Sequence, residues 1–171
     1  MSGSLEQMYQ QVILGHAKHP HGRGLVEVAD PGTGHLSGES HQVNPTCGDE
    51  VTLRVDVRSD GTGEAVVSGV SWEGQGCSIS QASVSVMTEL VTGRDLSAVR
   101  ELDATFHSLM ASRGKGLDDE AALDALGDGE AFTGVSQYPA RIKCALLGWA
   151  ALKDSLARSG ALADPTGGTD D

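Results

Sequence analysis

The chain has 171 residues, enough for one domain with its own core and too few for two of ordinary size. Twelve Lys and Arg stand against 24 Asp and Glu, and the formal net charge of -12 excludes a general phosphate-neutralising nucleic-acid surface and binding to an anionic membrane. Hydrophobic residues make up 39% and aromatics only 4%, so Val, Leu, Ile and Ala have to supply most of the core.

Residues 4–18 carry Leu5, Met8, Tyr9, Val12 and Ile13 at helical spacing, with Ser4 and Gln7 as a capping box and Pro20, Gly22 and Gly24 closing the helix. Residues 25–29 predict a short strand, and residues 35–43 a weaker one. Residues 51–58 alternate strictly, with Val51, Leu53, Val55 and Val57 set between Thr52, Arg54, Asp56 and Arg58. A turn over 59–63 and a returning strand over 64–72 complete a hairpin. The period then lengthens. Ile79, Ala82, Val86, Met87 and Leu90 predict a helix ended by Gly93, and Asp95 caps a second helix bearing Leu96, Val99, Leu102, Phe106 and Met110. The stretch 114–134 is acidic and punctuated by glycine, with Leu117, Leu123 and Leu126 offering one short helix. Six acids fall within 118–130, which reads as a solvated insertion. Pro139 opens a last helix with Ile142, Ala145, Leu146, Trp149, Leu152 and Leu156, and Gly160 closes it. Residues 161–171 predict a disordered tail. Strands early and helices late predict an α+β fold, a small antiparallel sheet with helices on one face, as one domain over 1–160.

Three cysteines make an odd count, which argues against a closed set of intrachain disulfides. The N-terminal residues lack the basic start and apolar run of a signal peptide, and no stretch is long enough to span a bilayer, so a reduced, cytoplasmic protein is expected. Each cysteine lies at a breakpoint. Cys47 sits in Asn44-Pro45-Thr46-Cys47-Gly48-Asp49, just before the best strand. Cys77 follows Gly74-Gln75-Gly76, glycines that let the backbone pass close to another group, and it falls at a helix N-terminus, where the dipole favours a thiolate. Cys144 lies in the first two turns of the last helix beside Arg141 and Lys143, cations that also favour a thiolate. Ordinary buried cysteines are one reading. Three soft donors with the Asp49 carboxylate are the other, a tetrahedral set suited to zinc, or a reactive-thiol site.

Asn-Pro-x-Cys-Gly-Asp at 44–49, Gly-x-Gly-Cys-x-Ile-Ser-x-Ala-Ser at 74–83 and Tyr-Pro-x-Arg-x-Lys-Cys at 138–144 together resemble the IscU/NifU N-terminal family of iron–sulfur cluster assembly. The likeness spans residues 5–156, and within the family the chain is more similar to the SufU type. Lys143 stands where the IscU type has a histidine before its last cysteine, no Leu-Pro-Pro-Val-Lys chaperone-docking motif is present, and the stretch 114–134 resembles the SufU-type insertion.

The resemblance implies an IscU/NifU-like sandwich in which Cys47, Asp49, Cys77 and Cys144 bind one Zn²⁺. Around such a zinc, Arg141 is expected to offset the excess negative charge of three thiolates and a carboxylate and to hold Asp49 in place, with Arg141 and Lys143 facing a partner. It implies a sulfur acceptor, sulfurtransferase-like rather than a self-contained enzyme. The donor would be a SufS-like pyridoxal-phosphate cysteine desulfurase, and the sulfur would pass on to downstream Suf scaffold components. A histidine of the desulfurase would take one zinc position and free Cys47 as the acceptor. A transient [2Fe–2S] scaffold on the same cysteines is the alternative, because thiolates serve both. A zinc-stabilised interaction module is a third reading. The histidines His16, His19, His21, His35, His41 and His107 read as solvated, although His19-Pro20-His21 could also be read as a metal site.

Overall fold

The computed structural model describes residues 2–27, 34–46, 48–59 and 65–161. The alternation over 51–58 is realised in full. Val51, Leu53, Val55 and Val57 are at most 2% exposed, while Thr52, Arg54 and Asp56 are half-buried on the opposite face. This strand, β2 (Asp49–Arg58), is the centre of a three-stranded antiparallel sheet, between β1 (His35–Asn44) and β3 (Val66–Gln75). β1 pairs from His35 opposite Arg58 to Asn44 opposite Asp49, and β3 pairs from Gln75 opposite Glu50, with an irregularity at Asp56 and Val57.

Among the described residues, five α-helices accompany the sheet: α1 (Ser2–Lys18), α2 (Ser78–Val91), α3 (Leu96–Met110), α4 (Glu120–Leu126) and α5 (Pro139–Ser159). The expected α+β fold is thus observed. α5 lies across β1 and β2 so closely that a Cβ on Gly38 would collide with the Ser155 carbonyl oxygen, and the Ser155 hydroxyl donates to Leu53 O at 3.2 Å. Asp95 caps α3 by accepting from Ala98 N, and Gly160, at φ +85°, ends α5. The core is more aromatic at its centre than the composition suggests. Phe106 stacks on Trp149 with centroids 5.0 Å apart and meets Phe132 edge-on at 5.7 Å.

Several expectations are corrected. Residues 25–27 form no strand, and 28–29 lie outside the described residues. The chain makes one bridge, Arg23 to Trp72, and then leaves the edge of β3. Side chains satisfy Val26 in place of a ladder: its N–H donates to Ser71 Oγ at 3.0 Å and its carbonyl accepts from Arg54 Nη1 at 3.1 Å. In α1, which begins at Ser2 ahead of the expected Ser4 cap, Leu5 and Met8 are exposed. The docked face is Tyr9, Val12, Ile13, His16 and Ala17, because Tyr9 Oη donates to Glu130 at 2.8 Å and His16 meets Asp128.

The acidic stretch is only half as expected. Asp119, Glu120, Asp124 and Asp128 are exposed, but after α4 the chain continues as a 3₁₀ segment, Gly127–Gln137, that buries Ala131, Phe132 and Val135. Thr133 and Ser136 hydroxyls donate to the carbonyls three residues back, at 2.7 and 2.6 Å, competing with α-helical bonding. The tail beyond Ala161 and Asp60 to Glu64 of the hairpin turn lie outside the described residues.

Candidate metal centre

Three elements meet at one end of the sheet. β1 and β2 are joined by a turn in which the Asn44 carboxamide oxygen accepts from Thr46 N at 3.2 Å and Gly48 N donates to Asn44 O at 2.8 Å. Asp49 follows as the first residue of β2 and is 1% exposed. The Asn44 contribution to this turn was not singled out in the sequence, although Asn-Pro is a turn-initiating pair whose side chain bonds the backbone two residues on.

Cys77 occupies the N-cap of α2. The preceding glycines serve the close approach their spacing suggested. A Cβ on Gly74 would strike Glu50 O, and one on Gly76 would strike the Asp49 carboxylate, so only a glycine admits Asp49 here. Asp49 Oδ1 accepts the Cys77 backbone N–H at 2.9 Å, which leaves Oδ2 turned toward the Cys77 sulfur at 3.8 Å. Cys144 comes from the second turn of α5, 2% exposed, with its thiol 3.6 Å from Ala140 O.

One donor atom each from Asp49, Cys77 and Cys144 lie within 4.8 Å of one another. Zn–S bonds of about 2.3 Å and Zn–O bonds of about 2.1 Å in a tetrahedron separate donors by about 3.5–3.8 Å, so the 3.8 Å Cys77–Asp49 separation fits zinc. The donor set fits chemically as well, being soft thiolates with one carboxylate whose second oxygen is held by a backbone N–H. Of the expected ligands, Cys47 lies outside the described residues. Arg141 and Lys143 are exposed on the first turns of α5, on either side of half-buried Ile142.

Residues 8–145 match the NifU-like N-terminal domain. The chain belongs to that family. Among its NifU-like relatives, the chain is 38% identical over 160 residues to a protein of Bacillus subtilis named zinc-dependent sulfurtransferase SufU, covering 92% of this chain and 95% of the relative. It is 33% identical to a Streptococcus pyogenes protein named iron–sulfur cluster assembly scaffold protein IscU, covering 91% and 86%. A crystal structure from Fervidobacterium islandicum, named as a candidate iron–sulfur cluster assembly scaffold of the SUF system, superposes with a TM-score of 0.65 at 32% identity, over 85% of this chain and 94% of that one. The N-terminal part of a NifU-like protein from Brucella abortus shares the fold, with a TM-score of 0.69 at 24% identity, over 91% of this chain and 96% of that one.

Proposed function

We propose that this protein is a zinc-dependent sulfur acceptor of iron–sulfur cluster assembly, which takes sulfur from a pyridoxal-phosphate cysteine desulfurase and passes it to downstream scaffold components. The observation that carries this reading is the convergence of Asp49, Cys77 and Cys144, three donors from three separate elements. The 38% likeness to a zinc-dependent sulfurtransferase supports it. Cys47 would complete a four-donor set.

Bound zinc would keep the thiols deprotonated at neutral pH and shield them from oxidation. The chain's own groups do the rest. Asp49 is held by the Cys77 N–H, and Cys144 is fixed in a packed helix, so both stay in place while sulfur moves. The Cys47 thiolate attacks the outer sulfur of the desulfurase persulfide. One S–S bond forms at Cys47 as the donor S–S bond breaks, and the desulfurase cysteine leaves as a thiolate, with no net oxidation. Arg141 and Lys143, both exposed, supply positive charge beside the site and would meet the partner. The segment 114–134 would tune the choice of partner through its acids. Chemistry that depends on reduced thiols suits a cytoplasmic setting, and no helix among the described residues is long and apolar enough to cross a membrane.

The test adds the protein to a cysteine desulfurase with free cysteine and measures alanine and sulfide. Stimulation by the wild type that is lost in Cys47→Ala is expected, and equal turnover from the two proteins would sink the sulfur-acceptor reading. A second reading, a [2Fe–2S] scaffold on the same donors, is favoured by the scaffold-named relatives. Anaerobically purified protein separates the two: colourless with zinc on the cysteines for the acceptor, brown with labile sulfide for the scaffold.

A further inference from the structure

His16 is the one buried histidine among the described residues, 7% exposed on the docked face of α1. Its Nε2 lies 2.8 Å from Asp128 Oδ2, at the start of the 3₁₀ segment, and 3.8 Å from Glu89 Oε1, in the last turn of α2. Beyond the end of α1 the chain brings His21 back to the same place. His21 Nε2 is 3.5 Å from Glu89 Oε2, and the two imidazoles are 5.3 Å apart. Donor atoms of His16, His21 and Glu89 lie within 4.8 Å of one another.

We propose that His16, His21 and Glu89 form a second, sulfur-free site for a divalent transition metal, with Zn²⁺ as the best-fitting ion. Four observations carry this assignment. The donor set is two imidazoles and one carboxylate, the combination of three-ligand zinc sites that keep a fourth position open. The separations are right for part of the shell, since tetrahedral Zn–N and Zn–O bonds place donors about 3.3–3.6 Å apart. The 3.5 Å from His21 to Glu89 falls in this range and the 3.8 Å from His16 to Glu89 lies just above it, while the 2.8 Å from His16 to Asp128 is a hydrogen-bond contact.

The support around the ligands is also in place. Ser85 Oγ lies 2.7 Å from His16 Nδ1 and accepts the His21 backbone N–H at 2.8 Å. With a metal at Nε2, His16 carries its proton on Nδ1, and the same hydroxyl oxygen, with two lone pairs, can accept from both histidines. Finally, the site is reachable: the side chains of His21, Glu89 and Asp128 are about half exposed, while His16 forms the buried floor.

This cluster is separate from the Asp49 centre. Cys77 caps the N-terminus of α2 and Glu89 stands in its last turn, so twelve residues along the helix part them by about 18 Å. The proposal therefore does not depend on the sulfur-acceptor reading. A metal here would tie α1 and the chain just beyond it to the last turn of α2.

The experiment titrates Co²⁺ into wild-type protein that has been stripped of metal and given one equivalent of zinc for its cysteine site. The expected result is one bound equivalent with a visible d–d spectrum and no sulfur-to-cobalt charge transfer, and competition by Zn²⁺. His21→Ala and Glu89→Gln each weaken this equivalent at least tenfold without altering the zinc already held. His41→Ala, a change at an exposed histidine 3.6 Å from Glu50, leaves it unchanged. Both test side chains are half exposed, so the fold should survive, and far-ultraviolet dichroism checks that it does. No sulfur-free equivalent, or one that His21→Ala and Glu89→Gln leave intact, or one weakened equally by His41→Ala, would overturn the proposal.

Discussion

The Asp49 carboxylate is tied to Cys77 by both of its oxygens: Oδ1 accepts the Cys77 backbone N–H at 2.9 Å, and Oδ2 lies 3.8 Å from the Cys77 sulfur. One side chain at the start of β2 thus both anchors the first turn of α2 and offers a donor beside the thiol. Replacing Asp49 with Asn separates these roles, because the amide oxygen can still accept the N–H but carries no charge. Asp49→Asn is expected to fold and to lose zinc to a chelator at least tenfold more readily than the wild type, as read by chelator competition. Equal retention would remove Asp49 from the ligand set.

Metal bound to the folded state alone should also support the fold. At one hundred times its dissociation constant, a ligand of this kind contributes about 2.7 kcal/mol. In a chain of this size that corresponds to a drop of about 5–10 °C in Tm on chelation. Calorimetry with and without chelator checks it, and an unchanged Tm would count against a folded-state metal site.

Gly76 and Gly69 make a matched pair. A methyl at position 76 meets the Asp49 carboxylate, whereas one at position 69 meets nothing within 4 Å. Gly76→Ala should cost about 1–3 kcal/mol and weaken metal binding, because the carboxylate has to move. Gly69→Ala should stay within about 0.5 kcal/mol of the wild type. Urea midpoints compare the two, and equal costs would mean that the close approach at Gly76 has no energetic consequence.

The aromatic centre gives a third contrast. Phe106→Ala removes a fully buried ring lying between Trp149 and Phe132 and should cost about 3–5 kcal/mol. The Trp149 indole N–H has no hydrogen-bond partner among the described residues. A buried donor left in that state costs about 1–3 kcal/mol. Trp149→Phe removes that donor while keeping a ring, so its cost should be less than half that of Phe106→Ala. A larger cost would show that the indole packing outweighs the relief.

Acidification should loosen the α5–β1 contact. The Ser40 hydroxyl donates to Asp154 at 2.6 Å and Arg158 donates at 2.8 Å, and these bonds hold the Asp154 carboxyl below its ordinary value. A carboxyl lowered in the folded state adds stability above its unfolded-state pKa and loses it as pH falls through the folded value. Ser40→Ala removes the largest cause. The stability gap between wild type and Ser40→Ala should be constant near neutral pH and narrow below about pH 4, the ordinary aspartate range. Thermal melts across that range test it, and a gap that widens on acidification would contradict the assignment.

The sequence by itself determined β2, α2, α3 and α5, because each has one dominant apolar period and a clear stop or cap, as at Asp95, Pro139 and Gly160. It also marked the cysteine-bearing segments and Asp49, since the chemistry of a metal site lies in residue types and short spacings. Residues 25–27 form no strand despite their composition because Val26 exchanges ladder bonds for Ser71 and Arg54, partners distant in the chain. Only tertiary structure decided that the buried face of α1 takes in His16 and Ala17 and leaves out Leu5 and Met8, since Tyr9 and His16 are drawn inward by Glu130 and Asp128, more than a hundred residues away. It also decided that His16 and His21, which read as solvated, converge on Glu89. The reason is physical: helical period and turn chemistry are local, whereas hydrogen bonds and metal sites join groups whose nearness only the folded chain creates.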